Sequence, residues 1–294
     1  MENFKNQNLK SSMNKNQTKT KGILRYMKKV IDVEDIRVGF IGFGNMGKAI
    51  AKGLIIAGMP SKNITACARD WDKLVKNCEE MNTIPCRDVY ESAYYSDLVF
   101  VAVKPYQVES VLEDYKEVLQ EKAVISVAAG LGFDWYEEFL DEGTQHLSII
   151  PNTAVEIGRG VILKEKTHSL QGEILEKSDV LLKSLGHVEE VDGELMDVAS
   201  GVSGCGGAFV YMFLEAMADG AVKNGLPRKL AYRLAAEMLE SAGALYLSTE
   251  KHPGELKDEI CSPNGTTIKG VAALESNAFR SAVIQAIDST LRKG

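Results

Sequence analysis

From Ile36 onward the chain alternates short apolar runs with stretches in which apolar residues recur every three or four positions. The runs IRVGFI, NITACA, DLVFVAV, AVISVAA and HLSII have strand length and are apolar on both faces. Such strands need cover on both sides, so the pattern predicts a parallel sheet with crossover helices. After Gly193 the period changes, and about a hundred residues read as long helices rich in Ala, Leu and Met. Residues 208–247 predict a helical hairpin divided at GLPRKL (Gly225 to Leu230), where Gly closes one arm and Pro opens the next. The first arm, FVYMFLEAMADGAVKNG, is apolar around so much of its circumference that one contact face does not cover it. A second copy of the chain is the expected cover, which predicts a homodimer or a larger ring of dimers.

Length and composition narrow this further. With 294 residues and 45% apolar content, the chain is long enough for a full core and about two domains. The net charge of −7 is uneven: residues 1–29 carry eight Lys or Arg against Glu2, leaving 26 basic and 40 acidic residues beyond. An acidic body is a poor match for nucleic acid. The basic start lacks the apolar core of a secretory signal and reads as a disordered extension, with Met27 as an alternative start. Uninterrupted apolar runs are short, as around Leu98 to Val103, which ends at Lys104 and Pro105, far short of the roughly 20 residues of a membrane span. No membrane association is expected. Cys67, Cys78, Cys86, Cys205 and Cys261 are odd in number and never spaced CxxC, and His146, His168, His187 and His252 form no ligand pair. Neither disulfides nor a metal is indicated, which fits a reducing cytoplasm.

GFIGFGNMG places Gly42, Gly44 and Gly47 in the spacing GxGxxG, after a strand and before a helical pattern. In that context Gly42 makes the tight turn, Gly44 lets a pyrophosphate approach the backbone and Gly47 permits close helix-to-strand contact. The free N–H groups and macrodipole of the helix start favour the phosphates. At the end of the second strand Arg69 precedes Asp70. An arginine there accommodates a 2′-phosphate, so NADP(H) is expected ahead of NAD(H), with Asp70 as the N-cap of WDKLVKN. Lys104 and Pro105 end the fourth-strand run, and Ala128, Ala129 and Gly130 follow the next strand. Ligands of open α/β sheets lie beyond these carboxyl ends. The expected fold is therefore α/β: a Rossmann-type doubly wound sheet over residues 35–196, a helical domain over 197–294, and the basic extension over 1–34.

CSPNGTT, residues 261–267, precedes the helical pattern IKGVAALE. A turn opening a helix leaves several N–H groups pointing at one spot and suits an anion, although an ordinary capped helix start is the competing account.

FIGFGNMG, AVKP (102–105), PNT (151–153), SGVSGCGGAF (200–209), ADGAVKNGLPR (218–228) and HPGELKDEICSPNGTTIKGVAALE (252–275) together resemble pyrroline-5-carboxylate reductase. The resemblance runs from about Ile36 to the C-terminus and implies a helical domain that interlocks with its partner. It also implies NADPH- or NADH-dependent reduction of the cyclic imine 1-pyrroline-5-carboxylate to L-proline. By motif, Gly42, Phe43, Gly44, Asn45, Met46, Gly47, Arg69, Val103, Lys104, Pro105, Ala128, Ala129, Gly130 and Asn152 would face the cofactor. Thr266 and Thr267, with Asn264 and Gly265, would hold the substrate carboxylate. The chemistry of the turn adds Ser262 as a further donor and Ser200 or Thr267 as a candidate to hydrogen-bond the ring nitrogen, with core packing or capping the competing account for each of the last two.

The chain departs from the family pattern at Asn264, where a glycine is usual, and at Ser200, Cys205 and Gly207. Asn accepts a left-handed conformation, so the first change is tolerable. The others keep open a related imine or hydroxyacid oxidoreductase, and fold alone leaves open a non-catalytic nucleotide-binding protein. The glycine cluster at 201–207 follows no strand, so close helix packing is its expected role.

Overall fold

The computed structural model describes residues 31–291. Most of the expected basic extension, residues 1–30, lies outside them. Its last four residues do not: Asp32 accepts the Val33 N–H at 2.7 Å, and Val33 is buried against the core. Packing therefore begins before residue 35, because two apolar residues of the expected extension, Ile31 and Val33, reach the core.

Strands and helices alternate through the first part of the chain: β1 Val38–Ile41, α1 Asn45–Ile56, β2 Ile64–Cys67, α2 Trp71–Met81, β3 Ile84–Pro85, α3 Val89–Tyr94 and β4 Leu98–Val101. There follow α4 Val108–Leu112, α5 Lys116–Gln120, β5 Ala123–Ser126, α6 Phe133–Phe139, β6 Gln145–Pro151, β7 Gly160–Glu165, α7 Gly172–Leu185 and β8 Gly186–Val191. The sheet order is β3-β2-β1-β4-β5-β6-β7-β8. β1 to β6 are parallel, β7 is antiparallel to β6, and β8 is parallel to β7.

The five apolar runs all appear as strands, buried on both faces where they are central. Phe40 and Phe100 occupy paired positions on β1 and β4 and stack at 5.3 Å. β3, β7 and β8 add three strands to those the hydrophobic pattern predicts. β3 has only two residues, and β8 is a half-exposed edge carrying Glu189 and Glu190, whose charges guard an unpaired edge and erase an apolar signature.

Beyond the sheet come α8 Met196–Ser200, a π-turn over Gly201–Cys205, α9 Gly206–Lys223, α10 Arg228–Thr249, α11 Pro253–Ile260, α12 Thr266–Ser276 and α13 Phe279–Asp288. α9 and α10 form the expected hairpin. Only part of the glycine cluster between α8 and α9 is explained by packing within the chain. A Cβ on Gly201 would meet Thr290 Oγ1 at 2.6 Å, but Gly206 and Gly207 face open space. The helical continuum from Gly193 to Lys223 is long and apolar enough to cross a membrane by length and composition, with little of it buried. No uninterrupted apolar run marks it, because Glu194, Asp197, Ser200, Ser203, Glu215 and Asp219 interrupt the stretch.

Candidate functional site

The parallel strands bring the carboxyl ends of β1, β2, β4, β5 and β6 to one edge. β2 and β4 flank β1 and their connections depart to opposite sides, which opens a crevice above β1 and β4. Gly42 has φ +92, and a Cβ there would lie 2.8 Å from the Ala102 carbonyl oxygen. A Cβ on Gly47 would lie 2.7 Å from the Gly42 carbonyl oxygen. Both glycines are therefore required by the fold. Gly44 is different: its φ is −82, and no heavy atom lies within 4 Å of the place a Cβ would take. Nothing inside the chain demands glycine at this position, the N-cap of α1.

Of the loop residues, Asn45 is exposed, while Met46 packs partly against the core. The Phe43 ring is buried against Phe40, so only its backbone is available at the edge. The loop is braced from behind by Asn77 of α2, whose amide donates to the Phe43 carbonyl at 3.4 Å and accepts from Lys48 Nζ at 3.3 Å.

At the end of β2, Arg69 is exposed and Asp70 caps α2, accepting the Lys73 N–H at 3.1 Å. Burial pushes the Cys67 thiol up to about 12, which rules out a thiolate beside the crevice. Val103, Lys104 and Pro105 leave β4, and Lys104 is exposed. Ala128 is buried and Gly130, with φ +82, is exposed on the β5–α6 loop. Ser126 anchors that loop by accepting the Ala128 N–H at 3.1 Å and pairing with Tyr136 Oη at 2.6 Å. Burial pushes the Tyr136 phenol up to about 12, so it stays neutral. Below the loop lies a cavity of about 160 Å³ whose lining includes Ala128, Gly130, Ser148, Glu165, Met196 and Asp197.

Asn152, at the end of β6, has most of its side chain engaged. Oδ1 accepts the N–H groups of Ala154 and Val161, both at 3.2 Å, and Nδ2 donates to the Ser203 carbonyl at 3.2 Å. It thereby ties the sheet edge to the π-turn, leaving one amide hydrogen for a ligand. Ser200 ends α8 directly before that turn and is half-buried.

The turn at 262–265 closes with the Gly265 N–H donating to the Ser262 carbonyl at 3.0 Å. Asn264 has φ +58, the left-handed corner that asparagine tolerates. A Cβ on Gly265 would lie 2.4 Å from Ser262 Oγ and 3.1 Å from the Ser262 carbonyl oxygen, so a side chain there requires the exposed Ser262 hydroxyl to rotate away. α12 starts at Thr266 with Gly265 as N-cap and no side-chain cap, and both threonines are exposed. The first N–H groups of an eleven-residue helix thus remain open.

One edge of the sheet therefore gathers Gly42 to Gly47, Arg69, Val103 to Pro105, Ala128 to Gly130 and Asn152. Among the described residues, no hydrogen bond joins residues 261–267 to those loops. Asn77, Ser126, Ser148 and Glu165, which hold the edge in shape, escaped the motif reading. A polar residue on the apolar side of an amphipathic helix was the available signal for Asn77, and a charge ending the run GVILKE for Glu165.

Residues 193–294 match the family described as pyrroline-5-carboxylate reductase dimerisation, and residues 37–130 match the family described as NADP oxidoreductase, coenzyme F420-dependent. The chain is 41% identical over 261 residues to the pyrroline-5-carboxylate reductase of Treponema pallidum, covering 87% of this chain and 99% of that protein. It is 40% identical to pyrroline-5-carboxylate reductase 3 of Danio rerio, covering 88% and 90%. The crystal structure of the Plasmodium falciparum pyrroline carboxylate reductase with NADP bound superposes with a TM-score of 0.78 at 29% identity, over 87% of this chain and 96% of that one. By its strand-edge loops, its open α12 start and these likenesses over nearly all of its folded length, the chain belongs to the pyrroline-5-carboxylate reductase family.

Proposed function

We infer that this chain reduces 1-pyrroline-5-carboxylate to L-proline, the last step of proline synthesis, with NADPH as the first-ranked hydride donor and NADH as the second. The observation that carries the substrate assignment is the turn at 262–267. It presents uncapped helix N–H groups to solvent, as a small carboxylate requires.

The residues at the sheet edge fit the cofactor. Gly44 has no internal reason to be glycine, the start of α1 offers free N–H groups to a pyrophosphate, and Arg69 is an uncommitted cation where a 2′-phosphate would lie. Val103 to Pro105 and Ala128 to Gly130 would border the nicotinamide, and Asn152 would contribute its remaining amide hydrogen. The bound nicotinamide supplies the hydride. The chain supplies alignment: the first turn of α12, with Ser262, Asn264, Gly265, Thr266 and Thr267, holds the carboxylate end, while a hydroxyl from Thr267 or Ser200 orients the ring nitrogen. Orientation of this kind accounts for most of the rate, and a substrate protonated in water needs no strong acid from the protein.

The same reading gives residues 35–196 to dinucleotide binding and 197–294 to dimerisation and substrate binding. Self-association completes it, since α9 to α13 are largely uncovered in the single chain and a partner's helices bring the α12 start to the sheet edge. The apolar stretch Gly193–Lys223 then serves the subunit interface rather than a membrane, and the enzyme works in the cytoplasm as a dimer or a ring of dimers, without nucleic acid.

Steady-state oxidation of NADPH and NADH by purified protein tests this, with 1-pyrroline-5-carboxylate and its six-membered homologue as substrates. Turnover of the five-membered imine is expected. Turnover of only the six-membered ring would make it a related imine reductase, and cofactor binding without turnover on either would make it a nucleotide-binding protein.

A further inference from the structure

We propose that Glu165 is a positioning residue that holds the β5–α6 loop in the shape that receives the nicotinamide. The assignment rests on the placement of the nicotinamide beside Ala128 to Gly130 given above. After the Val127 N–H donates to the Val101 carbonyl at 3.0 Å, the loop leaves the sheet ladder. Its course is then set by side chains from three successive strands. Ser126 of β5 accepts the Ala128 N–H, Ser148 of β6 donates to the Leu131 carbonyl at 3.0 Å, and Glu165 of β7 accepts the Phe133 N–H at 3.0 Å.

The first two anchors are neutral. The third is a carboxylate with 5% of its surface exposed. Its oxygens press against two glycines: a Cβ on Gly193 would lie 2.6 Å from Oε1, and one on Gly132 would lie 3.2 Å from it. The carboxylate is thus a wedge between the loop and the segment that leads from β8 into α8. Both glycines make room for it. Burial raises its pKa above the usual carboxylate range, Asp134 of α6 pushes the same way, and the Phe133 N–H and His146 of β6 oppose it. Asp197 of α8 lines the same cavity. A buried charge in such company costs stability, and the Phe133 N–H offsets part of that cost while tying the loop to β7. The wall it forms continues to Ala128 and Gly130, so slack at Glu165 is transmitted to the residues that border the nicotinamide.

The test compares full-length wild type, Glu165→Ala and Glu165→Gln for binding of NADPH and of 2′,5′-ADP, the half of the cofactor that lacks the nicotinamide. Glu165→Ala is expected to weaken NADPH about tenfold, the worth of one hydrogen bond to a charged group, and to leave 2′,5′-ADP unchanged. Glu165→Gln, which keeps an acceptor, is expected to restore most of the affinity. If Glu165→Ala does not fold, Gly193→Ala serves instead, because its methyl displaces the carboxylate, and the same selective loss is expected. Equal weakening of both ligands, or of neither, overturns the assignment. A wild type that binds neither overturns the cofactor reading and the assignment with it.

Discussion

The two halves of this chain solve the burial problem differently. The sheet half closes two apolar clusters, one on each face, around strands that are almost fully buried. The helical half has hardly any core of its own: beyond residue 200 its buried apolar residues are Ala218, Ala231 and Ala235, while Tyr211, Met212, Leu247 and Ile260 stand more than half exposed. Helices so apolar and so uncovered are stable only against another surface, and the dimerisation family that matches residues 193–294 says which. The likenesses divide along the same line. Residues 37–130 of the sheet half match the family described as NADP oxidoreductase, coenzyme F420-dependent. The helical half matches a family named for the dimerisation of one reductase.

The sharpest way to break this contrast is to charge the exposed helical face. Met212→Glu on α9 is expected to cost on the order of 2 kcal/mol or more of association and to abolish turnover at dilute protein concentration. Sedimentation velocity run beside activity checks it, and an active monomer would separate the exposed helices from function. Next comes Thr266→Pro. Proline is favoured at the first helical position and Gly265 is already extended, so α12 should persist while one N–H donor disappears. Loss of a bond to a charged carboxylate predicts a fall of about 100-fold in kcat/KM for the imine, with KM for NADPH unchanged. Equal loss for both would place that helix start at the cofactor instead.

Within the sheet half, Gly44→Ala and Gly47→Ala should part company. Gly44→Ala meets no atom of the chain and is expected to leave Tm unchanged while raising KM for NADPH about tenfold or more, near 1.4 kcal/mol. Gly47→Ala meets the Gly42 carbonyl and is expected to lower stability by about 1–3 kcal/mol. Identical behaviour of the two would remove the argument from open space. Arg69→Ala should weaken NADPH about tenfold through the lost charge-assisted contact and leave NADH untouched. A parallel loss of NADH would move the guanidinium away from the 2′-phosphate.

The smallest effect concerns Glu165, whose folded pKa lies above its unfolded value. For an acid shifted this way, the folded state binds more protons, so stability declines as pH rises from the ordinary carboxylate range through the raised folded value. Glu165→Gln removes that decline. The variant's Tm, relative to wild type, is therefore expected to rise with pH across this window and to level off above it. A constant difference would locate the cost elsewhere than in the buried charge.

Much of this was legible from residue order. The five central strands, the hairpin of α9 and α10, the roles of Gly42 and Gly47, the cap at Asp70 and the left-handed Asn264 all follow from periodicity and from backbone conformations that neighbouring residues decide. These are short-range properties, governed by steric overlap within a few residues and by which faces must be hidden from water. What the tertiary structure alone decided was of another kind: the charged edge strand β8, the Asn77 brace, the amide of Asn152 committed to Ala154, Val161 and Ser203, and the Glu165 wedge. Each depends on strand register and on partners remote in sequence, so its side chain carries no local mark of what it will touch. The uncovered face of α9 to α13 shows both. Residue order announced that this surface had to be buried, while only the folded chain established that its own core does not cover it.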